Sequence, residues 1–317
     1  MPPPSAGNPD DSDTPQPAPG RAWTFAAWTF GIGWAAAALA ALTRPTGEPD
    51  SPGTAILIGI LVVVPLGVTG WLARRWDVSL ADWGLCWPGI TPILLAPLVA
   101  LAIIAFATSL PVLFGISELE LSGMGEVQRL AEEHRPEALE LHLELQDSGS
   151  PVRAQIVVGL IGGMVLGLLV ALLIELPWRG LLLTELSGHN YARSGLMSAA
   201  IAALWWFPLQ LGTDVIERPG TSLAAVTLLT YAFTGVLLAW MRLHTGSIYP
   251  GGVLLAAGVA LSPIPSHALI GGSRLQIQLF LLATVALVAA ASFFLPPRPD
   301  RSHDGEDDHT ENDADDE

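Results

Sequence analysis

The sequence contains no lysine, one cysteine and few charged residues: aspartate, glutamate and arginine make up 14% of its 317 positions. Soluble domains carry about 25% charged residues, so a water-soluble enzyme is excluded early. Cys86, alone in the chain, rules out an intrachain disulfide and any cysteine-based metal cluster. Flanked by Leu85 and Trp87, it is expected as a small buried apolar residue. Basic residues are never clustered, which argues against nucleic acid as a partner.

What is abundant is hydrocarbon. Hydrophobic residues make up 51% of the chain, and the mean hydropathy is +0.49. The formal net charge is nevertheless −16. Its placement explains the contradiction. Residues 1–22 carry −2, residues 116–153 carry −6 and residues 296–317 carry −8, which leaves the remainder formally neutral. The chain therefore reads as an apolar body, 23–295, with a polar acidic loop at 116–153 and two acidic tails, 1–22 and 296–317. Both tails lack the apolar residues that a packed core needs, and both are expected to be disordered. The first 22 residues are too long and too acidic for the start of a signal peptide, and no cleavage is expected there.

Within the body lie eight apolar runs of roughly 20 residues, the length that crosses a hydrocarbon core about 30 Å thick. They cover 23–43, 54–73, 92–115, 154–176, 194–213, 221–241, 250–270 and 275–295. The fourth continues through 177–187, with a kink expected at Pro177. The seventh holds Gly251, Gly252, Gly258, Pro263 and Pro265 and is expected to be broken. The predicted fold class is an all-α, polytopic transmembrane bundle with the lipid bilayer as its surroundings. Arginines favour both termini on the cytoplasmic side of the cell membrane, eight against six.

Ionisable residues at membrane depth are costly and point to function or to pairing. Glu175 and Arg179 lie four apart in ALLIELPWRGLLLTEL, on one helix face, where they can pair. Such a pair serves either chemistry or the fixing of a helix against its neighbours. Glu185 falls near the helix end, where an interfacial carboxylate needs no special role. None of the seven histidines lies centrally in a span, and those at 303 and 309 sit in the acidic tail. Serine, histidine and aspartate do not converge on a nucleophilic set.

These residues resemble the CPBP family of membrane proteins, which includes CAAX prenyl proteases and bacteriocin-processing proteins. The resemblance covers roughly 154–262. Ile174-Glu175-Leu176-Pro177-Trp178-Arg179-Gly180 is similar to the family's Glu-Glu-x-x-x-Arg-Gly motif. Leu204-Trp205-Trp206-Phe207-Pro208-Leu209 is similar to its Leu-Trp-His-Leu-Pro-Leu segment, and the run from Ala239 to Pro250 to the turn before its His-x-x-x-Asn motif. Leu80–Leu85 is a weaker echo of the preceding loop.

The resemblance implies an intramembrane metalloendopeptidase with a glutamate as general base and a polar centre that activates water. In this sequence the first Glu position is Ile174, the second-motif His position is Trp206, and the third-motif His and Asn positions are Leu255 and Val259. Aliphatic side chains neither bind a divalent cation nor accept a proton. Of the chemical positions, Glu175 and Arg179 remain, as the candidate catalytic residues or as an ion pair. The expected role is non-catalytic, binding a membrane segment or partner protein, with no cofactor. Two alternatives stay open: an active protease that uses Glu175 as base with zinc, and a small transporter or channel.

Overall fold

A backbone in hydrocarbon must satisfy its own hydrogen bonds, and uninterrupted apolar runs do so as helices. The computed structural model describes residues 19–42, 52–122, 127, 151–187, 191–207 and 221–295. Helix α1 spans Pro19–Leu42, α2 Pro52–Trp76 and α3 Ile90–Leu113. A long helical rod, α4, occupies residues 151–186. Then follow α5 (Tyr191–Trp205), α6 (Thr221–Thr245), α7 (Tyr249–Leu261), the short α8 (Ile264–Ala268) and α9 (Arg274–Ser292). Strands β1 (Glu118–Leu119) and β2 (Leu269–Ile270) pair antiparallel, Glu118 opposite Ile270 and Leu119 opposite Leu269.

Among the described residues, seven helices are long and apolar enough to cross a membrane. The fifth expected run, 194–213, is represented by the 15 residues of α5. Residues 208–220 lie outside the described residues. One boundary also moves. Helix α1 begins at Pro19, inside the segment expected to be disordered, with proline suited to the first helical turn. The seventh run breaks as expected, between α7 and α8, after Leu261. At Pro177 the rod widens into a π-helical segment, Ala171–Leu182. Proline lacks the N–H for the helical ladder and crowds the carbonyl four residues back; a wider turn accommodates both. The rest of the two tails and the loop 128–150 lie outside the described residues.

A ladder of small residues joins α4 to α7. Gly159 faces Leu261, Gly163 faces Ala257 and Gly167 faces Val253, while Gly252 of α7 faces Ala171. A Cβ on Gly163 would sit 2.6 Å from Ala257 Cβ and 2.7 Å from its Cα. Lipid tails are as apolar as leucine, so membrane helices associate through close contacts of this kind. The four-residue step on both helices matches an antiparallel pair.

Two apolar clusters flank this axis. One gathers Phe25, Trp83, Trp178 and Trp205; the Phe25 and Trp178 rings meet edge to face at 5.4 Å. Trp205 donates its indole N–H to the Leu61 carbonyl at 2.9 Å, so the buried ring leaves no donor unpaired. The other cluster packs α3 against α6 and α7 through Ile93, Ile104, Leu238 and Leu254.

At one end of the bundle, residues 77–89 clasp the turn between α6 and α7. Ile248 N–H donates to Gly84 O at 3.0 Å, and Ser247 Oγ to Cys86 O at 2.6 Å. The Cys86 thiol donates to Gly246 O at 3.1 Å. Cys86 is thus exposed, a correction to the buried position expected from its apolar neighbours: the loop turns its backbone inward to make the clasp. Arg242 reaches Asp82 O at 3.4 Å. Gly84 has φ of +84°, and a Cβ there would strike the Arg242 guanidinium, so both conformation and space require glycine.

Replacing Gly163 by leucine is expected to force α4 from α7 and to destabilise the bundle by about 1–3 kcal/mol. Gly258→Ala on the same α7, where a Cβ meets nothing within 4 Å, is expected to be near neutral. Thermal unfolding of both variants in detergent checks the contrast.

Candidate functional site

Glu175 and Arg179 lie on the π-helical segment of α4, one turn apart, with 1% and 5% of their surfaces exposed. Arg179 Nε stands 3.5 Å from Glu175 Oε2, and Nη1 donates to Oε1 at 3.5 Å. The fork faces the carboxylate on both oxygens, but at long range. Glu175 Oε2 and Arg179 Nε have no hydrogen bond of good geometry.

The pair is enclosed by protein on three further helices, through small residues. A Cβ on Gly235 of α6 would lie 2.6 Å from Arg179 Nη2 and 2.9 Å from Ala199 Cβ of α5. A Cβ on Gly251 of α7 would lie 3.7 Å from Glu175 Oε2. Glycine at 235 makes room for the guanidinium, and α4, α5, α6 and α7 converge on the charges. Removing both charges from water is costly, and close pairing offsets much of that cost. Nearby, Ser198 Oγ donates to the Trp178 carbonyl at 2.9 Å, which ties α5 to the same stretch of α4.

The four positions of the family motifs fall into two sets with different neighbours. Ile174 and Trp206 pack against the Trp178–Trp205 cluster. Leu255 and Val259 instead line a cavity of about 510 Å³ between α3, α6, α7 and α9, where none of Ile174, Glu175, Arg179 and Trp206 contributes. The glycine ladder fixes this arrangement: it turns Val253 and Ala257 toward α4 and leaves Leu255 and Val259 facing elsewhere.

A zinc ion takes nitrogen, sulfur or oxygen ligands. Ile174, Leu255 and Val259 supply none, and the Trp206 indole only donates. Among the described residues no three His, Cys, Asp or Glu side chains stand close enough to hold a metal ion. His244 caps its own helix, with Nδ1 3.1 Å from Trp240 O and its ring against the Trp240 indole at 4.0 Å. His134, His142, His189, His303 and His309 lie outside the described residues. Among the described residues, those at the motif positions do not fit the metal that the motifs imply.

Glu185 departs from expectation. It is buried, 4% exposed, and faces Arg21 across 3.9 Å, while Arg21 lies over the Trp76 ring at 5.1 Å. The residue 21 partner comes from the four-residue helical extension of α1, which sequence reading had placed in the tail. Sequence reading also missed the polar row on α6: Thr227, Thr230, Tyr231 and Thr234 all line the cavity. Their i, i+3, i+4, i+7 spacing is the signal that could have found it.

Arg179→Met leaves Glu175 as an unpaired charge among apolar neighbours and is expected to cost about 3–5 kcal/mol. Glu175→Leu combined with Arg179→Met is expected to recover most of that loss. Unfolding midpoints of the single and double variants in one detergent check the cycle.

Residues 156–258 match the model of the Rce1-like family, described as type II CAAX prenyl endopeptidase Rce1-like. None of the curated proteins matches the chain. The matched stretch runs from the first turns of α4 to the last turn of α7 and holds the buried pair, the glycine ladder and the clasp's turn. This match on the central helices supports membership of the polytopic helical bundle in the CAAX-protease-like CPBP family of membrane proteins.

Proposed function

We propose that this CAAX-protease-like membrane protein acts without cleaving peptides, by binding a membrane segment or a partner protein within the bilayer of the cell membrane, with both termini on the cytoplasmic side. The observation that carries the reading is the chemistry at the motif positions. Ile174, Trp206, Leu255 and Val259 offer no base and no metal ligand, and they point into two separate parts of the bundle. Hydrolysis in a membrane needs a water positioned and activated by a base or a metal ion.

Glu175 does not replace the missing base. A general base must reach its proton within hydrogen-bond distance, and this carboxylate is 1% exposed, facing Arg179 and the backbone of α7 at Gly251. Its position supports a structural role, joining α4 to α6 and α7. What remains of the family is a scaffold: seven apolar spans, with small-residue contacts that hold the central helices close.

The purified full-length protein, supplied with zinc, is expected to leave prenylated and unprenylated membrane peptides intact and to retain no stoichiometric metal. Metal-dependent cleavage abolished by Glu175→Gln in a variant that still folds would overturn the reading. Installing Ile174→Glu, Trp206→His, Leu255→His and Val259→Asn together is expected to give no protease, because the cavity holding 255 and 259 excludes 174 and 206. Peptide cleavage assayed on the fourfold variant checks this.

A further inference from the structure

One end of the bundle is basic. It gathers the clasp, the last turns of α2, α4, α6 and α9, and the first turns of α1 and α5. Among the described residues its charges are Arg21, Arg74, Arg75, Arg193 and Arg242 against Asp77, Asp82 and Glu185. Three of these arginines are engaged. Arg21 faces Glu185 and the Trp76 ring, Arg242 reaches the Asp82 carbonyl, and Arg193 has a contact of its own. Asp82 Oδ2 accepts from the Ser79 N–H. Arg74 and Arg75 differ. Both are exposed on the last turn of α2. Among the described residues neither has an ion pair, Asp77 included. Cations suit a helix C-terminus, but that leaves their outward sides uncovered.

Trp71 and Trp87 are exposed at this end, and tryptophan of this kind marks the membrane–water interface. The two arginines therefore stand at a depth that an anion in water can reach. The most acidic segment of the chain departs from the same end. Helix α9 runs from the β1–β2 pair toward the clasp, where Leu295 O accepts the Trp240 indole N–H at 2.8 Å. Residues 296–317 follow, with ten acids and two arginines; they lie outside the described residues. The acidic loop 116–153 joins the far ends of α3 and α4, and residues 1–18 hold three acids.

The tail is long enough to reach them. From α6, which carries Trp240, to α2 is two helix-to-helix steps, because both pack on the same half of α4. At about 8–10 Å per step that is roughly 20 Å. Asp304 lies nine residues beyond Leu295, and nine extended residues cover about 30 Å. We propose that Arg74 and Arg75 form the docking surface for the chain's own acidic C-terminal segment, 296–317. A single exposed ion pair contributes little. Tethering raises the effective concentration of the tail to the millimolar range, and several carboxylates in turn can meet each guanidinium fork. A docked tail occupies the two arginines against any other anion, a lipid headgroup included. The proposal goes beyond the non-catalytic reading and does not depend on it, since tail position and peptide cleavage are read separately.

The test places spin labels on Leu80→Cys, exposed in the clasp loop, and on Thr310→Cys, in a Cys86→Ala background. The full-length protein sits in phosphatidylcholine nanodiscs, whose headgroups carry no net charge, and electron–electron double resonance reads the distance between labels. A short, narrow component is expected at about 0.01 M salt. It is expected to lose most of its amplitude at about 1 M, where the Debye length falls from about 30 Å to about 3 Å. Arg74→Gln with Arg75→Gln is expected to cause the same loss at low salt. So is Asp304→Asn, Glu306→Gln, Asp307→Asn and Asp308→Asn together, which serves if the arginine variant unfolds. Arg153→Gln, exposed on the first turns of α4 at the opposite end, is expected to change nothing. Three results would each overturn the proposal. The first is a distance distribution that ignores salt, and the second is an equal loss in Arg153→Gln. The third is label distances unmoved in the double arginine variant while it retains less phosphatidylglycerol by native mass spectrometry, which would assign the arginines to lipid.

Discussion

A carboxylate and a guanidinium at membrane depth require protein on every side, because lipid offers neither partner nor water. Much of the bundle's centre follows from housing Glu175 and Arg179. Gly235 clears room for the guanidinium, Gly251 brings the backbone of α7 against the carboxylate, and Ala199 closes the side toward α5. The wide π-helical turn that absorbs Pro177 carries both charges. The glycine ladder from Gly159 to Gly167 draws α7 onto α4 and so places Gly251 opposite Glu175. Charge, proline and glycine are individually unfavourable in a membrane helix; here each makes the next one tolerable.

The same ladder governs what the motif positions can do. Rotation of α7 about its axis is set by which of its residues must face glycine, and those are Val253 and Ala257. Leu255 and Val259 then lie two residues further round in each case, on a face shared with α3, α6 and α9. Apolar residues at these positions suit that face. The chain thus combines family-like spacing along the sequence with apolar residues at these positions, and the buried Glu175–Arg179 pair stands where helices meet.

Much of this was legible in the sequence for a simple reason: hydrocarbon length and buried charge are local properties. The apolar runs, the break in the seventh of them and the i, i+4 pairing of Glu175 with Arg179 all follow from residues close together in the chain. What was not legible depends on distant partners. Cys86 looks like a core residue beside Leu85 and Trp87, but its thiol bonds to Gly246, 160 positions away. Glu185 looks interfacial until Arg21 arrives from the other end of the body. The orientation of Leu255 likewise depends on neighbours that no window of 20 residues contains.

The clasp between residues 77–89 and the turn at 246–248 bears on how the protein is made. Its hydrogen bonds join segments about 160 residues apart, and the Trp205 bond to Leu61 spans 144. Chains emerge from the ribosome N-terminus first. Helices α1 to α3 therefore enter the bilayer while the groups that will satisfy Gly84 and Cys86 have yet to be synthesised. Until α6 and α7 arrive, the Gly84 and Cys86 carbonyl groups lack the partners that they have in the finished bundle. Assembly of the bundle is for this reason a late event in biogenesis, completed by the last third of the chain.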